Sequence, residues 1–366
     1  MMEPADSGTA RTHRIAVIPG DGVGVEVIEA GVAVLEAAAR ADGGFALELT
    51  SFPWGSDYYL EHGRMMAEDA VDVLRGFDAI YLGAVGSPAV PDDVTLWGSI
   101  LLIRQTLDLY VNLRPVRLMP GVEGPLRSKG PEHIDMMCVR ETTEGEYSGV
   151  GGRVHRNLPG EVAIQTDVFT RTGVERVVRH AFELATRRRG RLASITKSNA
   201  GRHAFTFWDD VVESVASEYP GVEVDRLLVD AAAAFFVTRP ERFDVVVGSN
   251  LFMDILTDVG AVIQGGMGLA ASMNVNPDGG VPALFEPVHG SAPDIAGRGI
   301  ANPTGAVWAG AMMLEHLGEQ TAAAAVMAAL ESVLAAGEVR TPDLGGTAGT
   351  RDVAGALVAG VTSGQR

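Results

Sequence analysis

At 366 residues the chain has enough material for a large buried core, in one domain or two, without covalent staples. Lys and Arg number 29 against 47 Asp and Glu, a formal net charge of −18, which opposes any broad electrostatic hold on nucleic acid or an anionic membrane. The single cysteine, Cys138, lies in the apolar run from Ile134 to Val139, which excludes an intrachain disulfide framework or a cysteine metal cluster and suits a reducing compartment.

Met1 to Thr12 is short and polar and carries Glu3 and Asp6, so it lacks the apolar centre of a signal peptide. No apolar stretch is long and clean enough to span a bilayer. A cytoplasmic protein acting on small molecules is the expectation.

Arg14-Ile15-Ala16-Val17-Ile18-Pro19 reads as a first strand, followed by a helix over 26–40. Further strands are predicted at 45–49, 79–82, 111–118, 135–140, 192–196, 224–229 and 244–247, with helices at 67–75, 97–107, 171–188 and 205–219. This alternation predicts an α/β fold with a largely parallel sheet and sites beyond the carboxyl ends of its strands. Gly149 to Thr170 breaks the rhythm: a glycine-rich loop leads into an isolated strand-like piece, Glu161-Val162-Ala163-Ile164-Gln165, which suits an excursion onto a partner. Past Ala261 the chain reads as glycine-rich and irregular until alanine-rich helices close it, 322–336 among them.

Gly20-Asp21-Gly22-Val23-Gly24 follows the first strand, but its third glycine comes one residue early for a dinucleotide fingerprint, so it reads as a tight strand-to-helix turn. Arg104 on a predicted helix, with Arg114 and Arg140 in or at the end of predicted strands, suggests a carboxylate pocket, although exposed arginines are usually solvated. Tyr147 ends a polar turn, where it is either packing or a proton donor; Lys197 ends an apolar strand, where it either snorkels to water or works as an acid/base group. Asp230 is either a metal carboxylate or a helix N-cap. The run Arg187-Arg188-Arg189-Gly190-Arg191 reads as a helix C-terminus complementing the helix dipole. Asp254 and Asp258 stand four apart after Val245-Val246-Val247, so on a helix they share a face, either solvated or around a hard cation such as Mg²⁺ or Mn²⁺. His289 opens a loop of small residues, His289 to Gly297, that admits a ligand to the backbone.

In order, these pieces resemble the metal-dependent β-decarboxylating dehydrogenases of 2-hydroxy acids, the family of isopropylmalate, isocitrate, tartrate and D-malate dehydrogenases. The resemblance runs from Ile15-Ala16-Val17-Ile18-Pro19-Gly20-Asp21-Gly22 through Asn112-Leu113-Arg114-Pro115, Arg140 to Tyr147, Thr196-Lys197-Ser198-Asn199, Asn250 to Asp258 and His289 to Gly297, to Ile300-Ala301-Asn302-Pro303 and Arg340 to Gly346. It implies an isopropylmalate dehydrogenase-like two-domain α/β fold, not Rossmann. The first domain is discontinuous (1–109 plus 266–366), the second spans 110–265, and an intersubunit arm lies at about 149–170. It also implies a homodimer with shared active sites. Asp254 and Asp258 would bind Mn²⁺ or Mg²⁺ with Asp230 of the other subunit, Arg104, Arg114 and Arg140 would hold substrate carboxylate, and Tyr147 and the partner's Lys197 would transfer protons.

In NAD-using relatives the position of Asp294 accepts hydrogen bonds from the adenosine ribose, whereas NADP-using relatives carry Lys-Tyr in place of Asp294-Ile295. A carboxylate there repels a 2′-phosphate, so NAD is expected, with His289, Gly290, Ser291, Ala292, Asn302 and Asn199 in its site. A monovalent activator such as K⁺ is left open.

Trp97, Ile100 and Leu101 replace the Glu and two Leu with which isopropylmalate enzymes face an alkyl group. Thr95-Leu96-Trp97-Gly98-Ser99, Asp108-Leu109-Tyr110-Val111-Asn112 and Trp54-Gly55-Ser56-Asp57-Tyr58-Tyr59 look most like the tartrate and D-malate members. A bulky Trp97 would favour a short C4 diacid. The expected activity is NAD-dependent oxidative decarboxylation of D-malate, or tartrate oxidation, with isopropylmalate dehydrogenase as the near rival and a silent metal-binding dimer as the rival from another class. Met253 and the apolar stretch 231–236 depart from the family pattern beside the metal positions.

Overall fold

The computed structural model describes residues 11–363. Among them twelve strands form: β1 (Arg11–Gly20), β2 (Phe45–Ser51), β3 (Ala79–Ala84), β4 (Val111–Arg117), β5 (Asp135–Glu141), β6 (Gly151–Val154), β7 (Val162–Gln165), β8 (Arg191–Thr196), β9 (Glu223–Leu228), β10 (Val245–Gly248), β11 (Ala271–Val275) and β12 (Ala283–Pro287). Ten of them make one sheet in the order β2-β1-β3-β12-β11-β4-β5-β10-β8-β9. The four strands at each end are mutually parallel, while β11 and β4 pair antiparallel on both sides and join the two blocks. Strands from both ends of the chain thus share one half of the sheet.

The strands read as unbroken apolar runs because helices cover both faces. Ile15, Val17, Tyr81, Val245 and Val247 face one layer, which includes the helices Val23–Asp42, Thr304–His316 and Arg171–Arg187. Their neighbours Ala16, Ile18, Ile80 and Leu82 face a second cluster, and Cys138 and Val246 a third, on the opposite side. That third cluster includes Phe236, from the helix Val229–Thr238, and Leu256, from the helix Asn250–Ile263. Burial pushes the Cys138 thiol up to about 12, so it stays an inert core group. No described helix is long and apolar enough to cross a membrane.

The structure departs from the sequence reading in several places. The helix expected over 97–107 is two helices, Asp92–Trp97 and Ile100–Thr106, because the chain turns at Gly98, where a Cβ would meet Met65 Cγ and Val94 O at 2.8 Å. The stretch read as irregular contains β11 and β12, which are short and separated by a glycine turn, so periodicity does not reveal them. Asp230 lies in the first turn of a helix whose N-cap is Leu228, so it is no N-cap. The basic run does end a helix at Gly190, which is left-handed, but Arg188 and Arg189 also pair with Asp135 and the fully buried Asp244. Met253 is fully buried in the core, packed toward Gly248, so it does not share the face that carries Asp254 and Asp258.

The turn after β1 joins the chain ends. Asp21 accepts hydrogen bonds from Ser56 N and Oγ at 2.7 and 2.6 Å and from Gly86 N at 2.7 Å, and Val23 N donates to Ser291 O at 2.8 Å. Gly22 sits at φ +56, and a Cβ there would lie 2.0 Å from Ser291 O. Gly22→Ala is expected to cost at least about 2 kcal/mol of stability in urea unfolding, and an unchanged midpoint would show the turn to be adaptable.

Candidate active site

Strand register brings polar residues from four strands to one face. Asn112 lies opposite Arg140 on β5 and Asn274 on β11, while Ser272 lies opposite Glu286 on β12. Opposed residues project to the same side and side chains alternate with period two, so Arg114 joins them. The helix Ile100–Thr106 adds Arg104 and the helix Asn250–Ile263 adds Asp254. Arg104, Arg114, Arg140, Asp254 and Glu286 line a pocket of about 190 Å³, walled on its apolar side by Leu96, Ile100 and Leu101 and continued by Pro287 to Gly290, with Asn112, Ser272 and Asn274 outside the lining.

All three arginines are buried. Arg140 donates through Nε and Nη2 to Asn250 Oδ1 at 3.0 and 2.8 Å, and its Nη1 pairs with the Asp254 carboxylate. Arg114 donates to Thr257 Oγ1 at 2.7 Å and lies 3.8 Å from Asp254 Oδ1; Arg104 donates to Glu286 Oε1 at 2.7 Å. The Nε atoms of Arg104 and Arg114 are buried without a partner, so neither guanidinium is fully satisfied by the described residues around it.

The Tyr147 hydroxyl donates to Asp254 Oδ2 at 3.0 Å. Burial, and then the Asp254 charge, push this phenol up to about 12, so it carries its proton at neutral pH. Burial pulls Arg140 down to about 10 although Asp254 supports its charge. For Asp254 burial opposes ionisation, but Arg140 and Arg114 outweigh it and the carboxyl titrates below its ordinary range. Asp258, one turn on, is raised by burial, with Arg114 opposing and Asp254 reinforcing the shift. Two carboxylates on one helical face, one of them held up partly by the other, offer an oxygen donor set for a hard divalent cation. Among the described residues no third acidic, His or Cys side chain completes a set within one chain.

The remaining expected residues fall in three places. Asp230 accepts from Lys197 Nζ at 2.6 Å, which lowers its pKa, and neither residue lines the arginine pocket. Asn199 lines a separate depression with Asp209 and Arg226. Trp97 is 40% exposed and packs on Gly149, where a Cβ would lie 2.9 Å from its Cη2; Leu96 takes the place in the pocket wall.

His289 and Gly290 line the pocket edge. His289 is held neutral by burial, and its Nε2 is buried without a partner. A Cβ on Gly290 would meet nothing within 4 Å, Asp294 is exposed, and Ala292 has φ +39. Ile295 packs against the cluster of Val23, Val27, Ala301 and Ala306, and Asn302 is tied to Asp343 Oδ2 at 3.0 Å. A neutral imidazole with a spare nitrogen, an open glycine and a free carboxylate suit the amino and hydroxyl groups of a nucleotide.

Sequence reasoning missed Glu286 and the supporting roles of Asn250 and Thr257. A charged residue inside the apolar run Ala283-Leu284-Phe285 was the available signal for Glu286, hidden because that run was not read as a strand.

A family model described as isocitrate/isopropylmalate dehydrogenase matches residues 14–357. The chain is 53% identical over 355 residues to D-malate dehydrogenase (decarboxylating) of Escherichia coli (strain K12), covering 95% of this chain and 98% of that one. It is 51% identical over 346 residues to a probable tartrate dehydrogenase/decarboxylase of Bacillus subtilis (strain 168), covering 94% and 97%. Among solved structures, isocitrate dehydrogenase from Methylococcus capsulatus superposes with a TM-score of 0.85 at 36% identity, covering 96% of this chain and 99% of that one.

Glu141, next to Arg140, accepts from Thr143 N and Oγ1 at 2.8 and 2.6 Å, yet burial raises its pKa to about 7. Its folded pKa exceeds the unfolded one, so the stability it contributes is complete below about pH 4.5 and is lost as pH rises through 7. That loss amounts to about 3 kcal/mol. The fall in unfolding free energy between pH 5 and 8 should therefore be flatter in Glu141→Gln; parallel slopes would refute the assignment.

Proposed function

Because this chain belongs to the isocitrate/isopropylmalate dehydrogenase family, we propose that it oxidatively decarboxylates a short 2-hydroxy diacid, D-malate or tartrate, with NAD and Mn²⁺ or Mg²⁺. The observation that carries this reading is the convergence of three buried guanidinium groups with Asp254 in a pocket of about 190 Å³ with one apolar wall. Two carboxylates of a small acid match the guanidinium groups that line the pocket. The names of the D-malate and tartrate relatives favour the same C4 class.

When bound, NAD supplies the hydride acceptor and the divalent cation supplies the positive charge that favours oxyanions. Asp254 and Asp258 would hold the cation together with Asp230 of a second copy. Arg104, Arg114 and Arg140 would bind and orient the diacid through its carboxylates. The partner copy's Lys197 would accept the hydroxyl proton, NAD⁺ would supply the acceptor for the C2 hydride, and the β-carboxylate would depart as CO₂. Tyr147, protonated at neutral pH, then delivers its proton to C3. From D-malate the products are pyruvate, CO₂ and NADH.

A homodimer follows from this reading, with the chain divided into domains 1–109 plus 266–366 and 110–265. The ribbon β6–β7 supports it: among the described residues the ribbon pairs with no other strand, it exposes Val154, Val162 and Ile164, the last by 60%, and an isolated hairpin is marginal in water. The exposed Ile255 and Val262, on the helix that carries Asp254, extend the apolar surface.

Specificity constants for D-malate, tartrate, isopropylmalate and isocitrate with NAD and Mn²⁺ test the assignment; a preference for the branched or tricarboxylic acid overturns it. Lys197→Met should cut turnover at least ~100-fold while leaving the dimer intact by light scattering, and unchanged turnover would remove it as the base. Asp294→Lys should raise KM for NAD roughly fivefold or more, whereas an unaltered KM counts against the ribose contact.

A further inference from the structure

Beneath the arginine pocket runs a buried polar chain that crosses the antiparallel junction of the sheet. Asn112 Nδ2 on β4 donates to Ser272 Oγ at 2.7 Å and to Asn274 Oδ1 at 2.9 Å on β11. Asn274 Nδ2 donates in turn to Glu286 Oε1 on β12 at 2.9 Å, and Arg104 Nη2 donates to the same oxygen at 2.7 Å. Asn112, Ser272 and Asn274 are fully buried, Arg104 is 3% exposed and Glu286 is 5% exposed.

The direction of the bonds matters. Asn112 only donates, its Oδ1 being buried without a partner, whereas Asn274 accepts from Asn112 and donates to Glu286, so the series ends on an acceptor and the carboxylate at 286 takes two donors at once. The Arg104 side chain makes no other hydrogen bond among the described residues, and its Nε is buried without a partner. A guanidinium on a long flexible stem is therefore fixed by Glu286 alone, while its remaining donors stay free for a ligand.

We propose that Glu286, itself oriented by Asn274 and Asn112, is the positioning residue for Arg104 and thereby sets how tightly the pocket grips substrate carboxylate. The inference rests on the hydroxy-diacid reading of the pocket. Glu286 touches no reacting atom in this account; it acts through Arg104.

The test compares Glu286→Ala, Glu286→Gln and Asn274→Ala in the full-length enzyme with NAD and Mn²⁺. The readouts are kcat and KM for D-malate, KM for NAD, calorimetric binding of D-malate in the presence of Mn²⁺, and thermal unfolding. Glu286→Ala should raise KM and the dissociation constant for D-malate at least roughly tenfold, with kcat within about threefold and KM for NAD unchanged. Glu286→Gln keeps an oxygen that accepts from both Arg104 and Asn274, so it should restore KM to within about threefold of the parent. Asn274→Ala should move KM in the same direction by less.

A Glu286→Ala enzyme with parental KM overturns the inference, and so does a Glu286→Gln enzyme as impaired as Glu286→Ala, because charge rather than position would then matter. Should Glu286→Ala fail to fold, the contrast between Glu286→Gln and Asn274→Ala decides by the same criteria. A parent enzyme that binds no hydroxy diacid sinks the functional reading first; a parent that binds while Glu286→Ala matches it sinks the inference alone.

Discussion

Three guanidinium groups withdrawn from water into one pocket set the terms for the structure around them. Removing each from water costs several kcal/mol unless anions and acceptors compensate it. Asp254 answers Arg140 and approaches Arg114, Glu286 answers Arg104, and Asn250 and Thr257 take further donors. Three cations against two carboxylates leave a net of one positive charge among the residues lining the pocket. In a chain of net charge −18, that local excess makes the pocket a focus for small anions. The guanidinium groups in its lining are planar forks of the kind that pair with carboxylates.

The sheet produces this arrangement through its change of direction. Two parallel blocks supply rigid walls, each covered on both faces, and the antiparallel strands β4 and β11 join them. On one face the apolar filling is split into two clusters, one under the helix that carries Arg104 and one under the helix that carries Asp254. The pocket lies between them. Polar residues are tolerated at the centre of the sheet because register places them side by side, so the amides of Asn112 and Asn274 and the Glu286 carboxylate pair in series, with Asn112 Oδ1 alone among these groups left buried without a partner.

The division of carboxylates follows the same logic. Asp254 sits among arginines and remains ionised, whereas Asp258 lies further along the helix, where burial and its neighbour hold its proton to higher pH. Lys197 and Asp230 form their own pair away from the pocket. The ribbon β6–β7 and the exposed Ile255 and Val262 leave apolar side chains on the surface of the same chain.

Much of this was legible in the linear chain. Apolar runs of five or six residues alternating with amphipathic stretches give the βα rhythm, because parallel strands buried on both faces leave no other pattern. The spacing of Asp254 and Asp258 and the early third glycine after β1 were likewise local facts. What stayed hidden depended on partners far along the chain. The strands β11 and β12 are too short to carry a period, and they are stabilised by neighbours drawn from β3 and β4. Glu286 has meaning only beside Arg104, 182 positions away, and Trp97 was assigned to the pocket although the turn at Gly98 sends it to Gly149. Sequence alone determined which side chains and which periodicities were available, since these are properties of consecutive residues. Tertiary structure decided which charges meet, because burial and register are set by contacts between segments that no local pattern encodes.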